Sequence, residues 1–354
     1  MKKLLGVLLL GLFILSGCNN DDEKNVDLTA DDAKALVNNS ADKLGDDVVS
    51  LVESDGAQAV IDFANLLEGS AVIGGRVSEK EWTKGRLNLI IQYFVNGPAA
   101  RTSNDDVTSL EDIQGLYEWN PEIGDFDKAE SEFFIVKFPT EGSETNNAEL
   151  KISALEFVKI TEDHGEYVDE YYLPSIIVGY VKVDETTVIE LDFEVNWSSV
   201  GAPEKAEVSL FVSPFNFELS FDDTFAQKSS ILSSISISDE LIVAIDLSVE
   251  FESAEKEEPV YFEGSVTYRD LKIGGDVDVR DLPEDADPND FINLALFSGD
   301  TKVGDIVFEL EEIEPGFEDY VAYVEYSDGT KENLEDILEP VLQEIEETFE
   351  EFED

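Results

Sequence analysis

Basic residues, histidine and cysteine are scarce in this chain. Of 354 residues, 23 are Lys or Arg, one is His and one is Cys, against 82 Asp and Glu. The net charge of −59 excludes partnership with nucleic acid, whose phosphates need basic contacts to displace their counterions. A single cysteine, Cys18, excludes a disulfide scaffold and any cysteine-based zinc site. A single histidine, His164, excludes a multi-histidine metal centre. It lies in the polar run Glu162-Asp163-His164-Gly165-Glu166, with no nucleophile motif beside it. There is no Gly-x-Ser-x-Gly elbow, no glycine loop leading into a lysine to cradle phosphate, and no His-Glu-x-x-His. Paired carboxylates can hydrolyse glycosides, but among 82 acids neighbouring pairs arise by chance. The sequence nominates no catalytic residue and implies no cofactor.

What is present is enough for a core. Apolar residues make up 42% of the chain and aromatics 10%, well above the composition of a disordered acidic segment. The excess acid is spread along the whole length. Such a surface keeps a protein soluble and opposes its own compaction unless salt screens it. A saline habitat or an envelope rich in divalent cations suits it.

The first residues carry an address. Lys2 and Lys3 precede an apolar run from Leu4 to Ile14, followed by Leu15, Ser16, Gly17 and Cys18. A charged start, a short apolar stretch and small residues define a secretory signal. The run is too short to span a bilayer, which takes about 20 residues. Leu15-Ser16-Gly17-Cys18 resembles the lipobox of bacterial lipoproteins. That resemblance implies cleavage after residue 17 and acyl chains on Cys18. It further implies a membrane anchor in a bacterial cell envelope, on the periplasmic or the surface face of the outer membrane. An ordinary signal with a chance cysteine, or a buried N-terminal helix, is the alternative. The mature chain would hold 21 bases against 82 acids, a charge of −61. Residues 18–27 read as an acidic tether. Within it Asn20-Asp21-Asp22-Glu23 resembles the export tag of surface lipoproteins of the Bacteroidota type, and a solvated linker accounts for it equally well.

Periodicity divides the remainder. Residues 28–114 read as a helical N-terminal region, with Ala33, Leu36, Val37, Leu44, Val48, Leu51 and Val52 at helical spacing. Ser54-Asp55-Gly56 reads as a break before a second helix. From 115 to 326 the period becomes two. Ile189, Leu191, Phe193, Val195 and Trp197 alternate with polar residues, as do Leu241, Val243, Ile245, Leu247, Val249 and Phe251. Past Pro214 the apolar parity flips to Phe215, Phe217, Leu219 and Phe221, as a bulge or a bend would do. It flips again at Leu271. About ten to twelve strands, mostly joined by short connections, favour antiparallel pairing. Residues 327–354 end the chain in an amphipathic helix whose stripe runs from Leu334 through Ile337 and Leu338 to Phe352, with Pro340 inside it. The expected fold is α+β: N-terminal helices on a large antiparallel meander forming a curved sheet, half-barrel or sandwich, closed by the C-terminal helix.

Three groups of residues invite a functional reading. Phe193, Trp197, Phe217 and Phe221 could belong to an apolar face that binds a lipid-like ligand. Asp285, Asp287, Asn289 and Asp290 partly mimic a calcium loop, but Asp290 stands where that loop needs glycine and Leu296 where it needs glutamate. A helix cap by Asp287, with Pro288 in the first helical position, is favoured over a divalent-cation site. Tyr117, Trp119, Asn120, Phe126, Phe138 and Pro139 resemble a segment of uncharacterised bacterial lipoproteins. They would form either an aromatic platform or, preferably, ordinary core. The resulting expectation is a non-enzymatic, membrane-anchored lipoprotein that binds an apolar ligand. A structural or adhesive surface protein with cation-bridged carboxylates comes next, and a carboxylate-dependent hydrolase last.

Overall fold

The computed structural model describes residues 54–59, 108–163, 168–238, 240–280, 282–283, 286–314 and 316–339, with positions 35, 43, 47 and 50. It is mostly β: among the described residues sixteen strands form one mixed sheet whose two end strands do not pair with each other. The helical N-terminal region falls largely outside the described residues, so the helical half of the expected α+β fold is not established. The chain divides into two compact units, Leu51–Ser220 and Met1–Ser50 with Phe221–Asp354.

In the unit built around 51–220 the strands are β1 (Gly115–Asn120), β2 (Asp125–Ala129), β3 (Phe134–Phe138), β4 (Ala148–Asp163), β5 (Val168–Val183), β6 (Thr186–Trp197) and β7 (Pro203–Val212). The order is β7-β6-β5-β4-β3-β1-β2. All pairs are antiparallel except β1 with β3. A parallel pair needs a crossover, and here the intervening strand β2 supplies it. Register keeps the apolar parity on one face from strand to strand. Tyr117, Val136, Leu150, Val181, Ile189 and Val212 form one row, and Phe134, Ile152, Gly179, Leu191 and Leu210 the next. Of these, Tyr117, Phe134, Val136, Leu150, Ile152 and Val181 are buried in the core of this unit.

Ser54 is a helix start rather than a break. Its hydroxyl accepts from the Ala57 N–H at 3.2 Å and its carbonyl from the Gln58 N–H at 3.0 Å, opening the helical turn 55–59. Gly56 explains why that turn sits where it does. A Cβ there would lie 2.6 Å from the Val188 carbonyl oxygen and 2.7 Å from Val212 Cγ1. Only a glycine lets the turn approach the ends of β6 and β7 so closely.

In the other unit β8 (Phe215–Phe225) enters from residue 221. It is followed by β9 (Lys228–Ile237), β10 (Glu240–Phe251), β11 (Pro259–Tyr268), β12 (Leu271–Asp278), β13 (Ile292–Ser298), β14 (Thr301–Glu314), β15 (Phe317–Tyr326) and β16 (Lys331–Asn333), in sequential order. The parity changes at Pro214 and Leu271 are therefore hairpin reversals between β7 and β8 and between β11 and β12, not bulges within one strand. Reversing the chain at a short turn shifts parity as effectively as an inserted residue does. The short strands β1, β2, β3 and β16, and the separate β13, raise the count above the ten to twelve expected.

The core of this unit gathers on β12–β15. Leu271, Ile273, Leu294, Leu296, Val303, Ile306, Val324 and Tyr326 pack with Ile337 and Leu338 of the helix 334–339. Leu296 is fully buried there. Leu296→Ala should cost about 2–5 kcal/mol in a denaturant titration, whereas Leu232→Ala, at an exposed site on β9, should change stability by less than about 0.5 kcal/mol.

Candidate functional site

The apolar face of the second unit does not stop at its core. Register carries it from β9 to β12 through the rows Ile235–Val243–Tyr268–Leu271, Ser233–Ile245–Val266–Ile273 and Ile231–Leu247–Gly264–Gly275. On β12 these residues are buried, but on β9 and β10 and along most of β11 they are half-buried. Carboxylates such as Asp246 and Glu250 take the opposite parity on β10. In a chain with 82 acids, these three rows hold no acid and no base. Their chemistry is that of a surface for apolar contact, with no general acid, base or nucleophile beyond serine and tyrosine hydroxyls.

Two basic residues brace the turns beside this face. Arg269, at the β11–β12 turn with φ 50°, donates from Nη2 to Asp47 Oδ1 at 2.7 Å and from Nε to Asp47 Oδ2 at 3.1 Å. It also pairs with Glu240. Tyr268 donates to the same aspartate at 3.3 Å. The Arg269 and Asp47 side chains are each 12% exposed, so this pair is shielded from the screening that weakens surface bridges. Removing Arg269 would leave the shielded Asp47 carboxylate without its cation. The hydrogen bond to Asp47 holds the guanidinium pKa above its ordinary value. Lys256, with φ 55° in the β10–β11 loop, donates to the Asp223 carboxylate at 2.6 Å, to the Asp223 carbonyl at 2.8 Å and to the Lys228 carbonyl at 3.3 Å. It thereby ties that loop to the β8–β9 hairpin.

The residues singled out by sequence are dispersed. Phe193 is buried in the core of the first unit. Trp197 is half-buried, and its indole N–H donates to the Pro174 carbonyl at 2.8 Å, pinning β6 to β5. Phe217 is half-buried beside Phe215, with ring centroids 6.4 Å apart. Phe221, farther along β8, belongs to the second unit. Asp285 and His164 lie outside the described residues, as do Cys18 and the tether. Asp287 is an N-cap: its side chain accepts from the Asn289 N–H at 2.9 Å, ahead of the 3₁₀ turn Pro288–Asp290. Asn289 then behaves as a one-residue strand. Its amide oxygen accepts from the Phe308 N–H, and its amide nitrogen donates to the Phe308 carbonyl, both at 2.8 Å. Sequence reasoning misses this because a single side chain replacing a strand leaves no periodic signal. Among the described residues no three His, Cys, Asp or Glu side chains gather as a metal site. Tyr117, Phe126 and Phe138 are core. The Tyr117 hydroxyl donates to the Ile113 carbonyl at 3.1 Å, and Trp119 packs edge-on against Phe126 at 5.2 Å.

Charge is arranged with equal consistency. Register sets acids directly opposite one another at Glu118–Asp127, Glu194–Glu207, Glu263–Asp276, Asp305–Glu325, Glu311–Asp319 and Glu312–Glu318. Like charges so placed destabilise a sheet. At least one member of each pair has a donor. Lys137 lies 3.9 Å from Glu118, Lys205 3.3 Å from Glu207 and Lys302 2.9 Å from Asp305. Asn293 donates to Asp276 at 3.0 Å, the Tyr323 hydroxyl to Glu311, and the Gly316 N–H to Glu312 at 2.7 Å. Glu194→Lys should therefore raise stability by about 0.2–1 kcal/mol at low salt. The wild-type melting temperature should climb from low to molar NaCl as screening shortens the Debye length from about 10 to about 3 Å. A melting temperature indifferent to salt would mean the local donors neutralise the repulsion completely.

Acidic neighbours also govern the tyrosines. Burial, aided by its hydrogen bond to Glu149 at 2.9 Å, pushes the Tyr180 hydroxyl up to about 12. The hydrogen bond to Glu311 pushes Tyr323 up to about 12. Burial, then Asp47 and Glu332 respectively, raises Tyr268 and Tyr326 as well. The raised phenols favour the fold fully below the unfolded value of about 10, and that contribution drains away as pH rises through the folded values. Alkaline unfolding followed at 295 nm should begin above pH 10, and Tyr180→Phe should move its midpoint upward.

Helical spans give no further lead: among the described residues no helix is long and apolar enough to cross a membrane. Comparison of the chain with protein-family models, curated proteins and solved structures finds no match in any of the three.

Proposed function

We propose that this chain is a non-enzymatic lipoprotein of a bacterial envelope, anchored through acyl chains on Cys18, that binds an apolar, lipid-like ligand on its sheet. The observation that carries the binding half is the half-buried apolar face of β9–β11, whose rows through Val243, Ile245 and Leu247 hold no carboxylate in a strongly acidic chain. The core of the second unit, on β12–β15, shows what the same face looks like when a helix covers it. An apolar ligand contributes roughly 25 cal/mol for each Å² of such surface taken from water. The anchor rests on Lys2, Lys3, the run Leu4–Ile14 and the lipobox-like Leu15–Cys18. Two acyl chains suffice for stable attachment.

Two experiments test the two halves separately. Cys18→Ser should shift the protein from the membrane to the soluble envelope fraction, and a variant that still pellets with membranes removes the anchor. For binding, the Cys18→Ser protein should copurify with extractable acyl chains and bind a fluorescent fatty acid saturably. Leu247→Gln should weaken that binding about tenfold, the worth of about 1.4 kcal/mol, while unfolding stays cooperative. Protein that carries no acyl chain and binds none leaves the structural role, with its cation-bridged exterior, as the better reading.

A further inference from the structure

The β14–β15 hairpin outruns its neighbours. β13 pairs with β14 only up to Ile306, and β16 pairs with β15 only over Tyr323–Glu325. Past these limits, among the described residues, the two strands have only each other, apart from Asn289 at Phe308. The direction of the open backbone groups follows from the bonds at their roots. The Tyr326 N–H donates to the Thr330 carbonyl, and the Gly329 N–H to the Tyr326 carbonyl, both at 2.9 Å. Tyr326 thus turns its peptide groups toward β16. In a strand these groups point the same way at every second residue. Ala322, Tyr320 and Glu318 therefore present theirs on the same side, where no described strand receives them. Such an edge is a template for another strand, and a two-stranded ribbon is marginal by itself.

The side chains say which strand would fit. On one face Leu310 stands opposite Tyr320, with the Glu312–Glu318 pair nearer the turn. Leu310 and Tyr320 are 54% and 42% exposed. On the other face Glu311 stands opposite Asp319. Residues 309–319 hold six carboxylates and no base. The edge is also guarded, because Asp319 Oδ1 accepts from the Tyr320 N–H at 2.8 Å. A neutral strand would have to displace that carboxylate without compensation, whereas an incoming ammonium gives it a partner. A second copy of the chain would bring six more carboxylates, and like-charge juxtaposition opposes such pairing.

We infer that the open edge of β15 at residues 318–322 takes a cationic, extended protein segment as an added strand. Its apolar side chains lie along Leu310 and Tyr320, and its alternate basic ones along Glu311 and Asp319. The main chain supplies affinity, and the alternating side chains supply selectivity. This surface is separate from the β9–β11 face, so the inference does not depend on lipid binding.

The test uses the full chain carrying Cys18→Ser and a fluorescein-labelled seven-residue peptide of alternating lysine and valine. Anisotropy should show saturable binding at 50 mM NaCl that weakens about tenfold or more at 500 mM as the charges are screened. Methylating alternate backbone nitrogens of the peptide should abolish it. Tyr320→Ala and Tyr320→Pro both remove the ring, but only proline also removes the edge N–H. The alanine variant should bind a few-fold more weakly, and the proline variant at least about tenfold more weakly again. Several results would overturn the inference: no saturable binding, equal binding of the methylated peptide, or equal affinity of the two variants. So would a dimer in sedimentation velocity that Tyr320→Pro dissolves, which would assign the edge to a second copy. Pelleting with phosphatidylcholine vesicles that Tyr320→Ala abolishes would assign it to a bilayer instead.

Discussion

Cross-strand register is the constraint on which the rest of this protein depends. In each unit, pairing keeps apolar residues of one strand beside apolar residues of the next, from β1 to β7 and again from β9 to β15. A slip of one residue would exchange the two faces. It would bring Asp246 and Glu250 into the apolar rows and turn Ile245 and Leu247 out. On β12, where the apolar parity is buried, the same slip would put Asp276 and Asp278 into the core, and an unpaired buried carboxylate costs several kcal/mol. Acidity thus acts as a selector of register as well as a solubilising surface.

The same register creates a cost where acids stand opposed, as at Glu118–Asp127, Glu194–Glu207 and Glu263–Asp276. The scarce donors are placed to offset it. Lys137, Lys205, Lys302 and Asn293 each reach one member of such a pair. Arg269 and Lys256 serve differently, holding part-buried aspartates at turns whose backbone has φ near +50°. Among the described residues, these bases act as structural fasteners.

The functional reading follows from where coverage and pairing end. The face is buried where the helix 334–339 covers it and half-buried on β9–β11. Among the described residues, the backbone is paired through most of the sheet and open along the far part of β15. Apolar surface and open strand edges are the two features a β protein must either shield or use. Glycine makes room where strands close on one another, as at Gly275, where a Cβ would lie 1.9 Å from the Asn293 carbonyl oxygen.

Sequence by itself determined the two-residue period of residues 115–326, the apolar parity of Phe193, Val243 and Leu247, and the cap at Asp287, because each depends on neighbours within a few residues. It also determined the net charge of −59. Only the tertiary structure decided that Pro214 and Leu271 mark hairpin reversals, since a turn and a bulge shift parity alike. It also decided that Trp197 is tied to the Pro174 carbonyl and that Phe193 is buried. The sixteenth strand, the parallel β1–β3 pair and the Asn289 clasp on Phe308 were likewise beyond local reading. Each depends on which distant backbone group lies within hydrogen-bonding distance, and that is a property of the assembled sheet.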